Sequence, residues 1–96
     1  MPEPRSETPE ARLRRLQMRA ARRGTKEMDL VLGPFARDRL AAMDDAGLML
    51  FDRLLEENDN DLWLWVTRPE IVPPEYAALM DDIRAHAGLS VPVSGN

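Results

Sequence analysis

The chain has 96 residues, of which 44% are hydrophobic and 31% are charged, and its formal net charge is -4 at pH 7. This length allows one domain with a single modest core, and the composition excludes a disordered chain. There is no cysteine, which excludes disulfide scaffolds and thiolate metal sites and is consistent with a reducing compartment. No apolar run approaches the ~20 residues of a membrane span, so we expect no membrane insertion.

Charge is distributed unevenly along the chain. Residues 1–26 carry eight basic and three acidic side chains, a net +5, whereas the remaining residues carry five basic and 14 acidic side chains, a net -9. The basic start is similar to a mitochondrial presequence, but it contains Glu3, Glu7 and Glu10, and presequences are poor in acids. We therefore expect a cytoplasmic protein, or a mature protein already delivered.

The first predicted helix begins with Thr8 as its N-cap and Pro9 at its first position, and it runs to about Arg22. Its arginines follow helical spacing and form one basic stripe on this helix: Arg12, Arg15, Arg19 and Arg22. Such a stripe fits nucleic acid, a membrane surface, an acidic protein face or simple solvation.

Four more helices follow in the pattern of caps and apolar spacing. Gly24 ends the first helix and Thr25 caps the second. Gly33-Pro34 either kinks the second helix or divides it into two short ones, and we expect the kink because the apolar periodicity continues. The third begins at Asp44-Asp45, the fourth at Asn58-Asp59 and the fifth at Pro74-Glu75, with Gly88 as the final stop.

No segment alternates as a strand would. The sequence thus predicts an all-α fold, a small bundle of about five helices. We expect residues 1-7 to be a flexible N-terminus, residues 8-88 to form the helical domain, and residues 89-96 to be a flexible tail.

Signatures of enzymes and cofactor sites are largely absent. The single histidine, His86, has no cysteine or second histidine to work with, and no phosphate-binding loop follows a strand. The acid pairs are explained more simply as helix caps. Asp59-Asn60-Asp61 is similar to part of a calcium loop but lacks the glycine and glutamate that such a loop needs. We expect no catalytic residue, no metal and no tightly bound cofactor.

The stretch RRGTKEMD, residues 22–29, is open to two interpretations. Gly24 is a helix-ending glycine with incidental charges around it, or it allows another backbone to approach between two functional side chains. Arg23 would offer a planar donor to a carboxylate or to backbone oxygens, and Glu27 lies in the first turn of the next helix. In DLWLWV, Trp65 is expected in the core, while Trp63 is a candidate for contact with a partner.

Several motifs in order resemble the small flavinylation (FAD assembly) factors of succinate dehydrogenase. They are RGTKEMD at 23–29, LVLGPFA at 30–36 and LLEENDNDLWLW at 54–65, followed by a proline-containing link to a last helix. The first helix departs from the family, because LQMRAA at 16–21 replaces an aromatic or bulky apolar run. Contacts that relatives make there are not carried over.

The resemblance implies a five-helix, non-enzymatic assembly factor whose partner is the flavoprotein subunit of succinate dehydrogenase, or of fumarate reductase. FAD would be handled in that client, where it becomes attached to a histidine of the client. The family motif places partner-binding roles on Arg23, Gly24 and Glu27, with Asp29 matching the acid that follows; Arg19 and Trp63 complete our candidate surface. We expect a monomer, in the bacterial cytoplasm or in the mitochondrial matrix of a eukaryote.

A rival interpretation is a small helical nucleic-acid-binding module that uses the basic first helix. The acidic remainder of the chain would oppose a phosphate backbone, and no recognition helix stands out. We therefore expect no nucleic-acid partner.

Overall fold

The computed structural model describes residues 7–88, in which five α-helices and no strand are present. The helices are α1 Pro9–Ala21, α2 Lys26–Arg39, α3 Asp45–Leu54, α4 Asp59–Thr67 and α5 Ala77–His86. The predicted all-α fold is confirmed. The tail predicted to be flexible, and all but one residue of the flexible N-terminus, lie outside the described residues. Across residues 7–88, no helix combines the length and the apolar character needed to cross a membrane.

Each of the first four helices begins at a side chain that caps it. The Oγ1 atoms of Thr8 and Thr25 accept hydrogen bonds from the backbone N–H groups three residues later, at 3.1 and 3.3 Å. Asp44 accepts from Gly47 N at 2.8 Å, and Asn58 accepts from Asn60 N at 2.7 Å. These caps confirm the predicted starts, because a cap and its helix are neighbours in sequence.

Helix α2 continues through Pro34 as one helix, so the proline does not divide it into two, and a 3₁₀ turn, Leu40–Ala42, follows it. The structure differs from the predicted helices at the fifth. The fifth helix begins at Ala77, after a 3₁₀ turn at Pro74–Tyr76 whose hydrogen bond runs from Tyr76 N to Pro73 O. Two successive prolines lack N–H donors, which delays the start of regular α-helical bonding. Gly88, with φ +75°, follows α5 as expected.

One hydrophobic core joins all five helices. Phe35 is buried in this core, with its ring 5.8 Å from that of Phe51 and 5.7 Å from that of His86. The other large side chains that are fully enclosed come from every helix: Leu16, Met28, Leu32, Leu40, Leu54, Leu62, Met80 and Ile83. Helices α1 and α2 form a hairpin in which Gly33 lies against Ala21, where a Cβ at Gly33 would be in ordinary contact with the Ala21 Cα at 3.6 Å.

Candidate partner-binding site

Arg23, between α1 and α2, is the centre of a dense set of hydrogen bonds. Its side chain is only 11% exposed. Its Nε donates to Asp59 Oδ1 at 2.7 Å, and its two terminal nitrogens donate to Leu55 O at 2.7 Å and to Glu57 O at 2.8 Å. The guanidinium therefore joins the α1–α2 junction to the α3–α4 loop, with one carboxylate and two backbone carbonyls as acceptors.

The backbone N–H groups of Arg23 and Gly24 also donate hydrogen bonds to carboxylates. Gly24 N donates to Asp59 Oδ2 at 2.7 Å, and Arg23 N donates to Asp29 Oδ1 at 2.6 Å. A Cβ on Gly24 would lie 3.2 Å from the same Asp59 oxygen. A side chain at Gly24 would therefore push the Asp59 carboxylate by a few tenths of an ångström, so the close approach favours glycine here. We call Arg23, Gly24, Asp29 and Asp59 the junction clamp.

The prediction that Gly24 ends the first helix is wrong. Helix α1 ends at Ala21, with Arg22 as its C-cap. Gly24 lies two residues further on and does not adopt the positive φ of a helix-ending glycine; within residues 7–88 only Gly88 does. The acceptor that defines its conformation, Asp59, is 35 positions away, so local capping rules could not identify it.

The basic stripe of α1 faces the acidic side of α3. Arg12 contacts Asp45 at 2.7 Å. Arg15 grips both carboxylate oxygens of Asp52, at 3.2 and 2.9 Å, and also contacts Glu7 at 2.7 Å. These guanidiniums are already neutralised inside the chain.

Arg19, the next arginine of the stripe, contacts the same side of the chain. Its two terminal nitrogens contact Asp52 and Glu56, both at 2.9 Å. Its contact with the Leu55 carbonyl, at 3.4 Å, places it beside Arg23, which uses the same oxygen. The stripe is therefore mostly an internal contact between α1 and α3, and this argues against the nucleic-acid alternative.

Replacing Asp52 by asparagine is expected to lower the free energy of unfolding at neutral pH by about 1 kcal/mol. The hydrogen bonds from Arg15 hold the pKa of Asp52 below its ordinary value. A carboxylate with a lowered folded-state pKa stabilises the fold above its unfolded-state pKa, and this contribution is lost as the pH falls through the folded-state value.

The measurement is urea unfolding of wild type and Asp52→Asn at about pH 7 and about pH 2.5. The difference between the two proteins should shrink at the lower pH. A difference of the same size at both pH values would contradict this origin.

The other predicted site residues occupy different positions. Glu27 is exposed on the first turn of α2, which Thr25 caps, and its side chain makes no hydrogen bond or ion pair to any of residues 7–88. Trp63 is 39% exposed, whereas Trp65 is 9% exposed, as the spacing predicted. Trp63 follows Asp59 by four positions on α4, so the two lie on the same side of that helix.

The structure therefore brings Arg19, Arg23, Gly24 and Asp29 together, and it leaves Glu27 exposed beside them. Arg23 shows the expected chemistry, although its acceptors belong to the same chain. Sequence reasoning missed Asp59, because its place at the start of α4 explained it as a helix-capping acid. It also missed Asp52. No local pattern could have identified either acid, because their partners lie 33–37 positions earlier in the chain.

Two further features lie outside the clamp. A shallow depression of about 330 Å³ lies along α3 and the start of the α3–α4 loop, lined by Met49, Asp52, Arg53 and Glu56. His86 lies at the end of α5, where its Nε2 is 2.9 Å from Asp38 Oδ2. In the part of the chain that the structure describes, no group of three or more histidine or carboxylate side chains is arranged to hold a metal ion.

Residues 14–87 match the protein family described as "Flavinator of succinate dehydrogenase". The "Succinate dehydrogenase assembly factor 2, mitochondrial" of Mycosarcoma maydis is 42% identical over 72 residues, which cover 75% of this chain and 30% of that protein. The protein of the same name from Cryptococcus neoformans is 38% identical over 75 residues, 76% of this chain and 43% of the relative. The "FAD assembly factor SdhE" of Shewanella oneidensis is 36% identical over 69 residues, 71% of this chain and 84% of the relative.

No solved structure shows significant similarity to the chain. The aligned part of this chain spans half or less of the mitochondrial relatives from Mycosarcoma maydis, Cryptococcus neoformans and Meyerozyma guilliermondii. It spans most of the bacterial relative from Shewanella oneidensis. The matched family region includes the junction clamp, the basic stripe of α1 from Arg15 onward and the core of all five helices. Because that region covers most of the sequence, from residue 14 to residue 87, the chain belongs to the family of succinate dehydrogenase flavinators.

Proposed function

We propose that this protein is a non-enzymatic assembly factor that binds the flavoprotein subunit of succinate dehydrogenase and promotes covalent attachment of FAD to a histidine of that subunit. The family membership supports the client. The names of the relatives support the process, since they are an assembly factor for this enzyme and an FAD assembly factor. Fumarate reductase is proposed as a second client for the same surface.

The observation that carries the proposal is the junction clamp with Glu27 beside it. Four backbone or side-chain bonds hold the Arg23-Gly24 segment against Asp59 and the α3–α4 loop. Thr25 then starts α2 so that Glu27 is exposed on its first turn. A carboxylate presented on a rigid segment loses little conformational entropy when a partner binds it.

The proposed mechanism depends on the rigidity of the helical bundle. Covalent attachment requires the client to hold its flavin and its histidine in reacting geometry, and positioning alone supplies a large part of a reaction barrier. A rigid helical bundle that binds one arrangement of the client better than others shifts the client toward that arrangement. In this proposal Glu27 contacts the client, and Arg23, Asp29 and Asp59 act as positioning residues. FAD stays in the client, and the chain carries no cofactor of its own.

Location and assembly state belong to the same proposal. The relatives include a bacterial protein and proteins named as mitochondrial. We propose that this chain acts in the bacterial cytoplasm or in the mitochondrial matrix, wherever its client matures, and that it acts as a monomer that pairs with the client. Co-purification with the client, followed by light scattering of the complex, tests both the partner and the stoichiometry.

Replacing Glu27 by alanine is expected to leave the bundle folded and to lower covalent flavin in the client by about tenfold, the value of one charge-assisted contact. Glu10 offers a matched control, because both glutamates are exposed and follow a threonine cap by two positions. Covalent flavin is measured as client fluorescence after denaturing electrophoresis, in cells that lack any other flavinylation factor. Equal flavin with Glu27→Ala, Glu10→Ala and wild type would refute the role of Glu27.

A further inference from the structure

The basic side chains of α1 and of the junction fall into two groups. Four arginines point toward the acids of α3 and α4 and are bonded to them: Arg12, Arg15, Arg19 and Arg23. Arg14, Arg22 and Lys26 are exposed and form no ion pair with any other of residues 7–88. The fold therefore uses one set of cations internally and leaves Arg14, Lys26 and the last arginine of the basic stripe, Arg22, exposed without an ion pair to any other of residues 7–88.

These three cations lie beside two large apolar side chains that are also exposed. Met18 is 48% exposed on α1, and Leu30 is 67% exposed on α2. On α1, Met18 follows Arg14 by four positions and precedes Arg22 by four, so the three share a face. On α2, Leu30 follows Lys26 by four positions in the same way. We call Arg14, Met18, Arg22, Lys26 and Leu30 the outer face of the hairpin.

The contact between α1 and α2 joins the two halves of this face. Ala21 packs against Gly33. Met18 precedes Ala21 by three positions, and Leu30 precedes Gly33 by three, so both flank this contact on the side away from the core. Two apolar side chains at the middle with cations around them form a surface with the arrangement of a protein interface, apolar at its centre and polar at its rim.

We propose that the outer face of the hairpin binds an acidic protein surface that carries an apolar contact at its centre, and that this surface belongs to the flavoprotein client. The inference rests on the proposed function and extends the contact from Glu27 along the hairpin. Continuity supports it, because Glu27 lies three positions before Leu30 and follows Lys26 directly. Charge complementarity indicates that the partner surface is negatively charged, because the exposed charges of this face are cations.

A phosphate polymer or an anionic bilayer is a poorer fit. The whole chain has a net charge of -4, and the other exposed surfaces carry an excess of carboxylates, which would repel a uniformly anionic partner. Three cations are few for nucleic-acid binding, which relies on many phosphate contacts. Leu30 would find no apolar contact on a phosphate backbone, whereas an apolar contact on a protein surface would bury its side chain.

The test measures binding of the whole chain to the purified flavoprotein subunit of succinate dehydrogenase by calorimetry, at about 50 mM and about 300 mM salt. The variants are the triple change Arg14→Glu, Arg22→Glu and Lys26→Glu, and the single change Leu30→Asp. The controls are Arg39→Glu, an exposed cation at the far end of α2, and Met49→Asp, a 56% exposed methionine on α3. Circular dichroism and thermal melting verify that each variant is folded.

We expect the triple change to weaken binding by about 30-fold at low salt and to remove most of the salt dependence. Leu30→Asp is expected to weaken binding by about tenfold with the salt dependence retained, and both controls should stay within about twofold of wild type.

The proposal is overturned if both variants bind as tightly as wild type. It is also overturned if Arg39→Glu loses as much affinity as the triple change, or if Met49→Asp loses as much affinity as Leu30→Asp. Tighter binding of wild type to duplex DNA or to phosphatidylserine vesicles than to the flavoprotein would also overturn it. Absence of wild-type binding to the flavoprotein would instead refute the proposed function itself. The two failures are therefore distinguishable.

Discussion

Replacing Arg23 by alanine is expected to lower the free energy of unfolding by about 3 kcal/mol. The change removes three hydrogen bonds from a side chain that is 11% exposed, and it leaves the carboxylate of Asp59, itself 15% exposed, without its cation. The carbonyls of Leu55 and Glu57 lose their donors at the same time.

A double-mutant cycle isolates the contact. Arg23→Ala, Asp59→Ala and the double variant are unfolded in urea, and we expect a coupling energy of about 2 kcal/mol between the two residues. Arg68→Ala is the matched control, because the Arg68–Glu70 pair has side chains 59% and 63% exposed and should contribute almost nothing. Coupling close to zero would show that the clamp does not stabilise the fold.

Arg23 could support flavinylation either by positioning the junction or by contacting the client directly, and covalent flavin measured in three variants distinguishes the two roles. If Arg23 positions the junction, Asp59→Ala should reduce covalent flavin about as much as Arg23→Ala, although Asp59 is nearly enclosed. Arg23→Lys should restore little, because an ammonium cannot reproduce the planar fork that reaches three acceptors. Loss of flavin with Arg23→Ala alone would instead indicate direct contact with the client.

Replacing Trp65 by alanine is expected to cost about 3–5 kcal/mol of unfolding free energy. The side chain is 9% exposed, and its ring lies 5.6 Å from that of Tyr76. The hydroxyl of Tyr76 donates to Glu57 Oε2 at 3.1 Å, so this aromatic pair also supports the loop that accepts from Arg23. A cavity here would loosen α4, α5 and the α3–α4 loop together.

Trp63 is the matched control, since it is the same residue type two positions earlier on the same helix. Trp63→Ala should lower the unfolding free energy by about 1–2 kcal/mol, clearly less than Trp65→Ala, because 39% of Trp63 is already in contact with solvent. Thermal melting and urea unfolding of both variants provide the comparison. Similar costs for the two substitutions would mean that Trp63 packs as deeply as Trp65.

Much of the fold follows from the sequence because its signals are local. A cap such as Thr25 or Asn58 lies within one turn of the helix that it starts, and apolar spacing reports which face of a helix is buried. The same spacing distinguishes the buried Trp65 from the partly exposed Trp63. The 3₁₀ turn before α5 was less predictable, since consecutive prolines allow more than one way to enter a helix.

The chemistry of the candidate site depended on contacts between distant parts of the chain. Sequence spacing showed that Arg19 and Arg23 could grip carboxylates, but their acceptors lie 32–37 positions later. Only the packing of α3 and α4 against the α1–α2 hairpin shows that these arginines are used internally while Glu27 and Lys26 remain exposed. Helix starts are local, whereas the pairing of charges requires the whole chain to close on itself, and no periodicity reports it.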